Sequence, residues 1–390
     1  MTNATAPIFI MVHGTQAKGT AWIRRDSLIS KGLVTAFENA DIVPFKWSGI
    51  NSHTARLLAA RRLNKTVRKL GTAFPARPIY ILAHSHGGTV ALYSLRSEEL
   101  QSRISGLICM GTPFLRCMPR DIEMTVAIFG HCFLFILIAL VLSTAGIAIY
   151  CAIATQHFLS VLSGGTCAAF VTALFRTHPD RREGRFQSFL RYKASKHQTA
   201  VIERLSLPHS IRTPVFCTTA TKDEAGMLLW SARSLSEIPF ALWKIMVGVG
   251  AINLLLLLLV LSDSTGRISK PIANGISISF GWVVAIMISI QLLMWIFPKL
   301  ARSHALAFGQ EDGLDNWLVR IWVGPNYADA PLEEVTIDRA TIKAVDALPE
   351  TNKIKRILRR TRHSLIYLDQ KVISRIVSWV RETETKRLTS

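Results

Sequence analysis

The sequence is poor in acidic residues and contains one long stretch without any charge. Its 390 residues include 26 Asp and Glu against 46 Lys and Arg, which gives a net charge of +20. Charged residues make up only 18% and hydrophobic residues 49%, so the composition excludes an intrinsically disordered chain. Between Met124 and Phe175 there is no Asp, Glu, Lys or Arg. This composition argues against a wholly water-soluble globule and predicts that part of the chain lies in lipid.

Cysteine motifs and nucleic-acid motifs are also missing. The six cysteines include no CxxC pair and no His-flanked metal spacing, which argues against a disulfide framework and a zinc site. We therefore expect no metal and no cofactor. The basic excess fits either nucleic acid or a membrane surface. Because no zinc-finger, RNA-binding or helix-turn-helix pattern is present, we expect a lipid bilayer as partner and no nucleic acid. An oligomeric state is not predicted.

Four apolar segments are long enough to predict membrane-spanning helices. One span needs about 20 apolar residues, so residues 124–175 can hold two spans with a turn near residues 155–157. A second pair is predicted over 240–261 and 276–297. Serine and glycine interrupt residues 158–175, for which a re-entrant or lid-like helix is the alternative.

These hairpins divide the chain into five parts. The polar blocks are 1–123, 176–239 and 298–390, and the hairpins are 124–175 and 240–297. The polar blocks hold 43 of the 46 Lys and Arg residues. By the positive-inside rule, all three blocks and both termini are expected in the cytoplasm. The prediction is a multi-pass integral protein of a bacterial inner membrane. The N-terminus has no basic region or long apolar run typical of a signal peptide.

The polar blocks contain short apolar segments typical of buried strands. The segment at 8–12 is followed by His13-Gly14, and the segment at 214–219 is followed by Asp223 and Glu224. An amphipathic helix is predicted over 52–70. Its basic face is interpreted as solvated surface, with a lipid-phosphate contact as the alternative. The predicted strands cover residues 8–12, 42–45, 78–82, 106–110 and 214–219, with a last strand near 334–337.

The most informative motif is Ala-His-Ser-His-Gly-Gly at residues 83–88. It lies between the strand segment at 78–82 and the helix-forming segment that begins at Thr89. A strand, a sharp turn with serine at its tip and a helix form the nucleophile elbow G-x-S-x-G, here with Ala83 at the first glycine position. The strained turn needs small neighbours, which Ala83, Gly87 and Gly88 provide.

In this order the segments resemble the α/β-hydrolase superfamily, in particular its serine lipase and esterase branch. The resemblance implies an α/β-hydrolase fold, a mostly parallel sheet flanked by helices, interrupted here by two pairs of transmembrane helices. It also implies a triad in the chain order serine, acid, histidine, with Ser85 as nucleophile, Asp223 as acid and His363 as base. The backbone N–H groups of Thr15 and His86 would form the oxyanion hole.

Two of these assignments have alternatives. Glu224 is the alternative acid, because it follows the same strand. Only His304 and His363 follow Asp223 in the chain, so His304 is the alternative base. His363 is favoured because an amphipathic terminal helix follows it, as in related hydrolases.

The predicted function is a membrane-embedded serine hydrolase that cleaves carboxylic esters through an acyl-enzyme. Both hairpins follow strands of the predicted sheet, at the carboxyl edge where ligands bind in open α/β sheets. The site would then face the bilayer, and a lipid ester such as a phospholipid or acylglycerol is the expected substrate. The alternatives are a thioesterase acting on acylated protein, and a catalytically silent membrane scaffold or toxin-like protein.

Overall fold

The structure is a computed structural model. It describes residues 6–15, 17, 20–122, 185–208, 210–224, 249, 252, 278, 279, 282, 285, 286, 289, 318–324, 327, 330–337, 341, 342 and 361–389. Within these residues the chain forms an α/β fold, in which helices flank a mostly parallel sheet.

Six of the eight described strands form the central sheet. The strands are β1 (Ile8–Val12), β2 (Asp41–Phe45), β3 (Ile79–His84), β4 (Gly106–Met110), β5 (Phe114–Pro119), β6 (Val215–Ala220), β7 (Val319–Gly324) and β8 (Leu332–Val335). The sheet order is β2-β1-β3-β4-β6-β8, and its neighbouring strands pair in parallel. All three predicted polar blocks contribute strands to this one sheet.

Helices cover both faces of the sheet, which explains the continuous apolar runs of its central strands. The helices are α1 (Leu28–Ala36), α2 (His53–Ala73), α3 (His86–Ser94), α4 (Glu98–Arg103), α5 (Arg185–Leu205), α6 (Arg362–Leu365) and α7 (Gln370–Thr389), with 3-10 turns at Ala21–Ile23 and Ile366–Leu368.

Successive strand residues face opposite helical layers. Ile10 belongs to the cluster that contains Leu63 of α2 and Val90 of α3. Its neighbour Met11 belongs to the cluster that contains Ile373 of α7. All of these side chains are buried, and burial of one such side chain contributes about 1.5–3 kcal/mol to folding. The sheet is thereby packed between two helical layers, which position the strand ends.

The amphipathic helix predicted over 52–70 is confirmed, and it extends to Ala73. Ser52 caps its start, because the Ser52 hydroxyl accepts a hydrogen bond from the Ala55 backbone N–H at 3.2 Å. Its apolar stripe is buried against the sheet. Its five central basic residues are exposed, and Arg68 pairs with Glu99 at 2.8 Å; they are Arg61, Arg62, Lys65, Arg68 and Lys69.

A smaller sheet lies beside the central one and is absent from the prediction. In it β5 and β7 pair antiparallel. Helix α5 packs on this sheet through Val201 and Leu205, which contact Leu318 and Val319. Gln198 of α5 donates from Nε2 to the Leu318 carbonyl at 2.7 Å. The two strands are some two hundred residues apart in the chain, so local periodicity carries no signal of their pairing.

The predicted membrane topology needs correction. Among the described residues, no helix is both long and apolar enough to cross a membrane. The longest ones, α2, α5 and α7, have 20 or 21 residues, but all three carry many charged side chains. This finding contradicts the prediction of a multi-pass inner-membrane protein with cytoplasmic termini. The predicted spans in 124–175, 240–261 and 276–297 lie outside the described residues, apart from isolated positions.

Candidate active site

The turn between β3 and α3 contains one strained residue, Ser85. Its backbone angles are φ 54° and ψ −136°, a region that L-residues rarely occupy and that costs of order 1–3 kcal/mol. The turn is held on both sides. The Ser85 N–H donates to the Met110 carbonyl at 2.9 Å, and the Gly88 N–H donates to the Ser85 carbonyl at 2.9 Å. The chain can therefore pass from strand to helix within a single residue, with the serine at the tip.

Two glycines allow this tip to lie close to neighbouring strands. A Cβ atom at Gly14, just after β1, would lie 2.7 Å from the Ser85 Cβ. A Cβ atom at Gly88 would lie 2.1 Å from the Thr112 hydroxyl oxygen, just after β4. Both distances are too short for any larger side chain. The turn is thus enclosed between the ends of β1 and β4 at the carboxyl edge of the sheet.

His363 and Asp223 form a close pair at the same edge. The Nδ1 atom of His363 lies 2.9 Å from Oδ2 of Asp223, and both side chains are 12% exposed. Because an ionised carboxylate only accepts hydrogen bonds, Nδ1 carries the hydrogen of this bond and Nε2 is the ring nitrogen that remains for the serine. Asp223 follows β6 through a turn in which Lys222 has a positive φ of 59°. The pair joins two segments that are 140 residues apart in the chain.

Gly111 connects this pair to the serine turn. It has a positive φ of 54°, and a Cβ atom there would lie 3.0 Å from the His363 ring and 3.6 Å from Oδ2 of Asp223. Gly111 directly follows Met110, whose carbonyl accepts the hydrogen bond from Ser85. The structure therefore brings Ser85, Asp223 and His363 to one place at the sheet edge.

Glu224, the alternative acid, has a different partner. Its Oε2 atom accepts a hydrogen bond from the Arg362 backbone N–H at 2.8 Å. The Arg362 guanidinium donates to the Thr221 carbonyl at 3.0 Å. Glu224 thus holds the segment that leads into His363, whereas Asp223 contacts the imidazole itself. The alternative base, His304, lies outside the described residues.

The two predicted oxyanion donors flank the serine. His86 is the first residue of α3, and the first N–H groups of a helix have no partner within the helix. Thr15 follows Gly14, the residue that lies against Ser85. Both N–H groups therefore belong to segments in contact with the serine turn.

The segment before Thr15 is fixed by contacts between His13 and Trp47, and the prediction did not include Trp47. The Trp47 backbone N–H donates to Nε2 of His13 at 3.3 Å, so Nδ1 carries the proton and donates to the Gly14 carbonyl at 2.8 Å. The two rings stack with centroids 5.6 Å apart. In a trans peptide the C=O and N–H point in opposite directions. The Thr15 N–H is therefore directed away from the His13 ring.

His84, which precedes Ser85, contacts the segment that carries the predicted base. Its Nε2 atom lies 2.8 Å from the main-chain oxygen of His363, and the two imidazole centroids are 4.7 Å apart. The pKa of His84 is lowered to about 3, chiefly because the ring is buried and to a lesser extent because His363 lies nearby. The prediction included His84 in the serine motif and assigned it no role of its own. No local signal could have shown a contact across 279 positions.

A metal site is not evident in the described part of the chain, where no cluster of three or more His, Cys, Asp or Glu side chains could hold an ion. The predicted absence of a cofactor is not tested by this observation and stays a prediction. Cys109 and Cys217 lie opposite each other on β4 and β6 as free, buried thiols. Burial raises the pKa of the Cys109 thiol, which argues against a reactive thiolate there.

No protein-family model matches the chain, and no curated protein matches it either. The function therefore rests on the geometry of the site.

Proposed function

We propose that the protein is a serine hydrolase of the α/β-hydrolase type that cleaves carboxylic esters through an acyl-enzyme. The observation that carries this proposal is the His363–Asp223 pair, 2.9 Å apart and packed against Gly111 beside the strained turn at Ser85. A serine that is held in a strained turn next to an imidazole–carboxylate pair is the arrangement that activates a hydroxyl nucleophile.

In the proposed reaction, Nε2 of His363 takes the Ser85 proton as the hydroxyl attacks the ester carbonyl. Asp223 accepts the hydrogen bond from Nδ1 and so stabilises the imidazolium that forms. The imidazolium then protonates the leaving alcohol. A water molecule, activated in the same way, hydrolyses the acyl-enzyme and regenerates Ser85.

The N–H groups of His86 and Thr15 are proposed to stabilise the negative charge that develops on the carbonyl oxygen. The loss of one such donor typically costs about 2.7–4 kcal/mol of transition-state stabilisation. Support for this assignment comes from the contact of Gly14 with Ser85 and from the position of His86 at the start of α3.

The substrate proposal is a carboxylic ester, with a lipid ester as the first candidate and a thioester of an acylated protein as the second. The preference for a lipid ester came from the predicted membrane topology, which the described helices do not support. The geometry of the site supports an acyl-transfer reaction and does not rank the two substrates. A p-nitrophenyl ester series of increasing acyl length would measure the chain-length preference directly.

The test is labelling of the purified full-length protein by a fluorophosphonate probe, together with hydrolysis of a short p-nitrophenyl ester. We expect wild type to label and hydrolyse, and Ser85→Ala to do neither. Ser94→Ala is the matched control, because Ser94 is a buried serine at the other end of α3. A folded wild type that never labels would favour a catalytically silent protein instead.

A further inference from the structure

His84 provides the most direct physical link between the nucleophile and the predicted base. It is adjacent to Ser85 in the chain, and its Nε2 lies 2.8 Å from the main-chain oxygen of His363. A carbonyl oxygen only accepts hydrogen bonds, so Nε2 of His84 must carry the hydrogen and donate it. The backbone position of His363 is therefore tied to β3, the strand that ends at His84 just before Ser85.

Aromatic rings fix the direction of this donor. The His84 ring meets Tyr367 edge-on at 5.1 Å and Trp22 edge-on at 5.9 Å between centroids. Trp22 and Tyr367 stack on each other at 5.2 Å. The imidazole is buried among these rings and the His363 ring. Rotation of His84 away from the His363 carbonyl would disrupt these ring contacts.

The charge state of His84 suits a neighbour that gains a proton. Burial is the main cause of its low pKa, followed by the charge of His363; the contact with the His363 carbonyl and the charge of Asp223 act in the opposite direction. His84 is therefore a neutral donor at neutral pH. A second cation at this position would repel the imidazolium that His363 becomes during the reaction.

We propose that His84 is a positioning residue for His363. Its Nε2–H holds the main-chain oxygen of His363 and thereby sets the distance and direction of the His363 imidazole relative to Ser85. This inference rests on the proposed hydrolase function, because positioning matters only if His363 acts as the base. It assigns to His84 a role beyond that of a turn neighbour.

The test compares two substitutions that differ in the donor. His84→Phe keeps an aromatic ring but lacks the N–H, whereas His84→Gln keeps an N–H donor at a similar distance from the backbone. Misplacement of a catalytic group by about 1 Å can cost roughly 100-fold. We expect His84→Phe to lower kcat by about 10- to 100-fold with little change in KM, and His84→Gln to stay within about threefold of wild type.

Trp22→Phe serves as the packing control, because phenylalanine keeps an aromatic ring beside His84 and the variant retains the His84 donor to the His363 oxygen. It should leave kcat and the pH profile of fluorophosphonate labelling unchanged. A spectroscopic readout accompanies the kinetics. The low-field ¹H resonance of the His363 Nδ1 proton, identified by its loss in His363→Ala, should shift or broaden in His84→Phe and return in His84→Gln.

Three results would overturn the positioning role in a wild type that labels. These are an unchanged kcat in His84→Phe, equal losses in the Phe and Gln variants, or an equal loss in Trp22→Phe. If His84→Phe does not fold, His84→Asn replaces it, because its shorter amide cannot reach the His363 oxygen. A wild type that neither labels nor hydrolyses would instead overturn the proposed function, and the role of His84 with it.

Discussion

The serine turn and the histidine–aspartate pair are built in different ways. Ser85 depends on its immediate neighbours, since β3 ends at residue 84 and α3 begins at residue 86. His363 and Asp223 are 140 residues apart and meet only after β6 has paired with β4 and α6 has been placed beside β6. The first arrangement is local and strained, whereas the second is long-range and hydrogen-bonded. Substitutions in the serine turn should therefore remove activity while the fold survives. Substitutions that break the long-range contacts should lower both activity and stability.

The largest effect is expected at the serine turn. Ser85→Ala should lower ester hydrolysis by roughly 10⁴-fold or more, because the nucleophile is lost. Ser85→Gly should be equally inactive, yet it should raise the free energy of unfolding by about 1 kcal/mol, because glycine tolerates the positive φ of 54°. Kinetics and urea denaturation measure the two effects separately. Equal stability of the Gly variant and wild type would show that the turn is not strained.

A comparable loss is expected at the base. His363→Ala should be as damaging to hydrolysis as Ser85→Ala, and the double variant should be no worse, because the members of a triad act as a unit. His304→Ala should have a mild effect. Measured kcat values for the four proteins decide the assignment. If His304→Ala were the more damaging of the two histidine variants, the base would be His304.

The two neighbouring carboxylates should differ in effect. Asp223→Asn should lower kcat by about 10²- to 10⁴-fold, because the imidazole loses its ionised partner. Glu224→Gln should lower kcat less than about tenfold, since Glu224 bonds the Arg362 backbone rather than the ring. This is a matched pair of adjacent acid-to-amide changes. The reverse ranking would transfer the role of acid to Glu224.

The sequence predicts the local features of this site well because their physical causes are local. The central strands are recognisable as apolar runs, and the tip serine is recognisable from the small residues around it. The chain order of the triad restricted the base to two histidines, and the structure describes one of them beside Asp223. These features can be predicted without information on distant contacts.

Features that depend on distant contacts could not be predicted from local patterns. The pairing of β5 with β7 and the bond from His84 to the His363 backbone each join segments about 200 or more residues apart. The membrane prediction was made from long apolar segments and from the distribution of basic residues. It is contradicted because no helix among the described residues is long and apolar enough to cross a membrane. Hydrophobic content indicates where a chain is apolar, but it does not identify what covers the apolar surface.

The last expected effect concerns acid stability rather than activity. His84 is buried and has a pKa of about 3, against 6.5 for an exposed imidazole. Below pH 6.5 the unfolded chain binds a proton at His84 that the folded protein does not bind. The stability contributed by neutral His84 is therefore complete above pH 6.5 and falls as the pH drops towards 3. The slope approaches about 1.4 kcal/mol per pH unit.

Burial also lowers the pKa of His53, so part of the acid sensitivity should remain when His84 is replaced. We expect the unfolding free energy of wild type to decline between pH 6.5 and pH 4.5, and that of His84→Gln to decline less steeply. Trp22→Phe is the control, since it alters the same aromatic cluster but retains His84. Urea denaturation at each pH measures the slopes. Identical slopes for wild type and His84→Gln would mean that His84 takes up a proton in the folded state, and the link between the serine strand and the base would then be a charged contact rather than a neutral one.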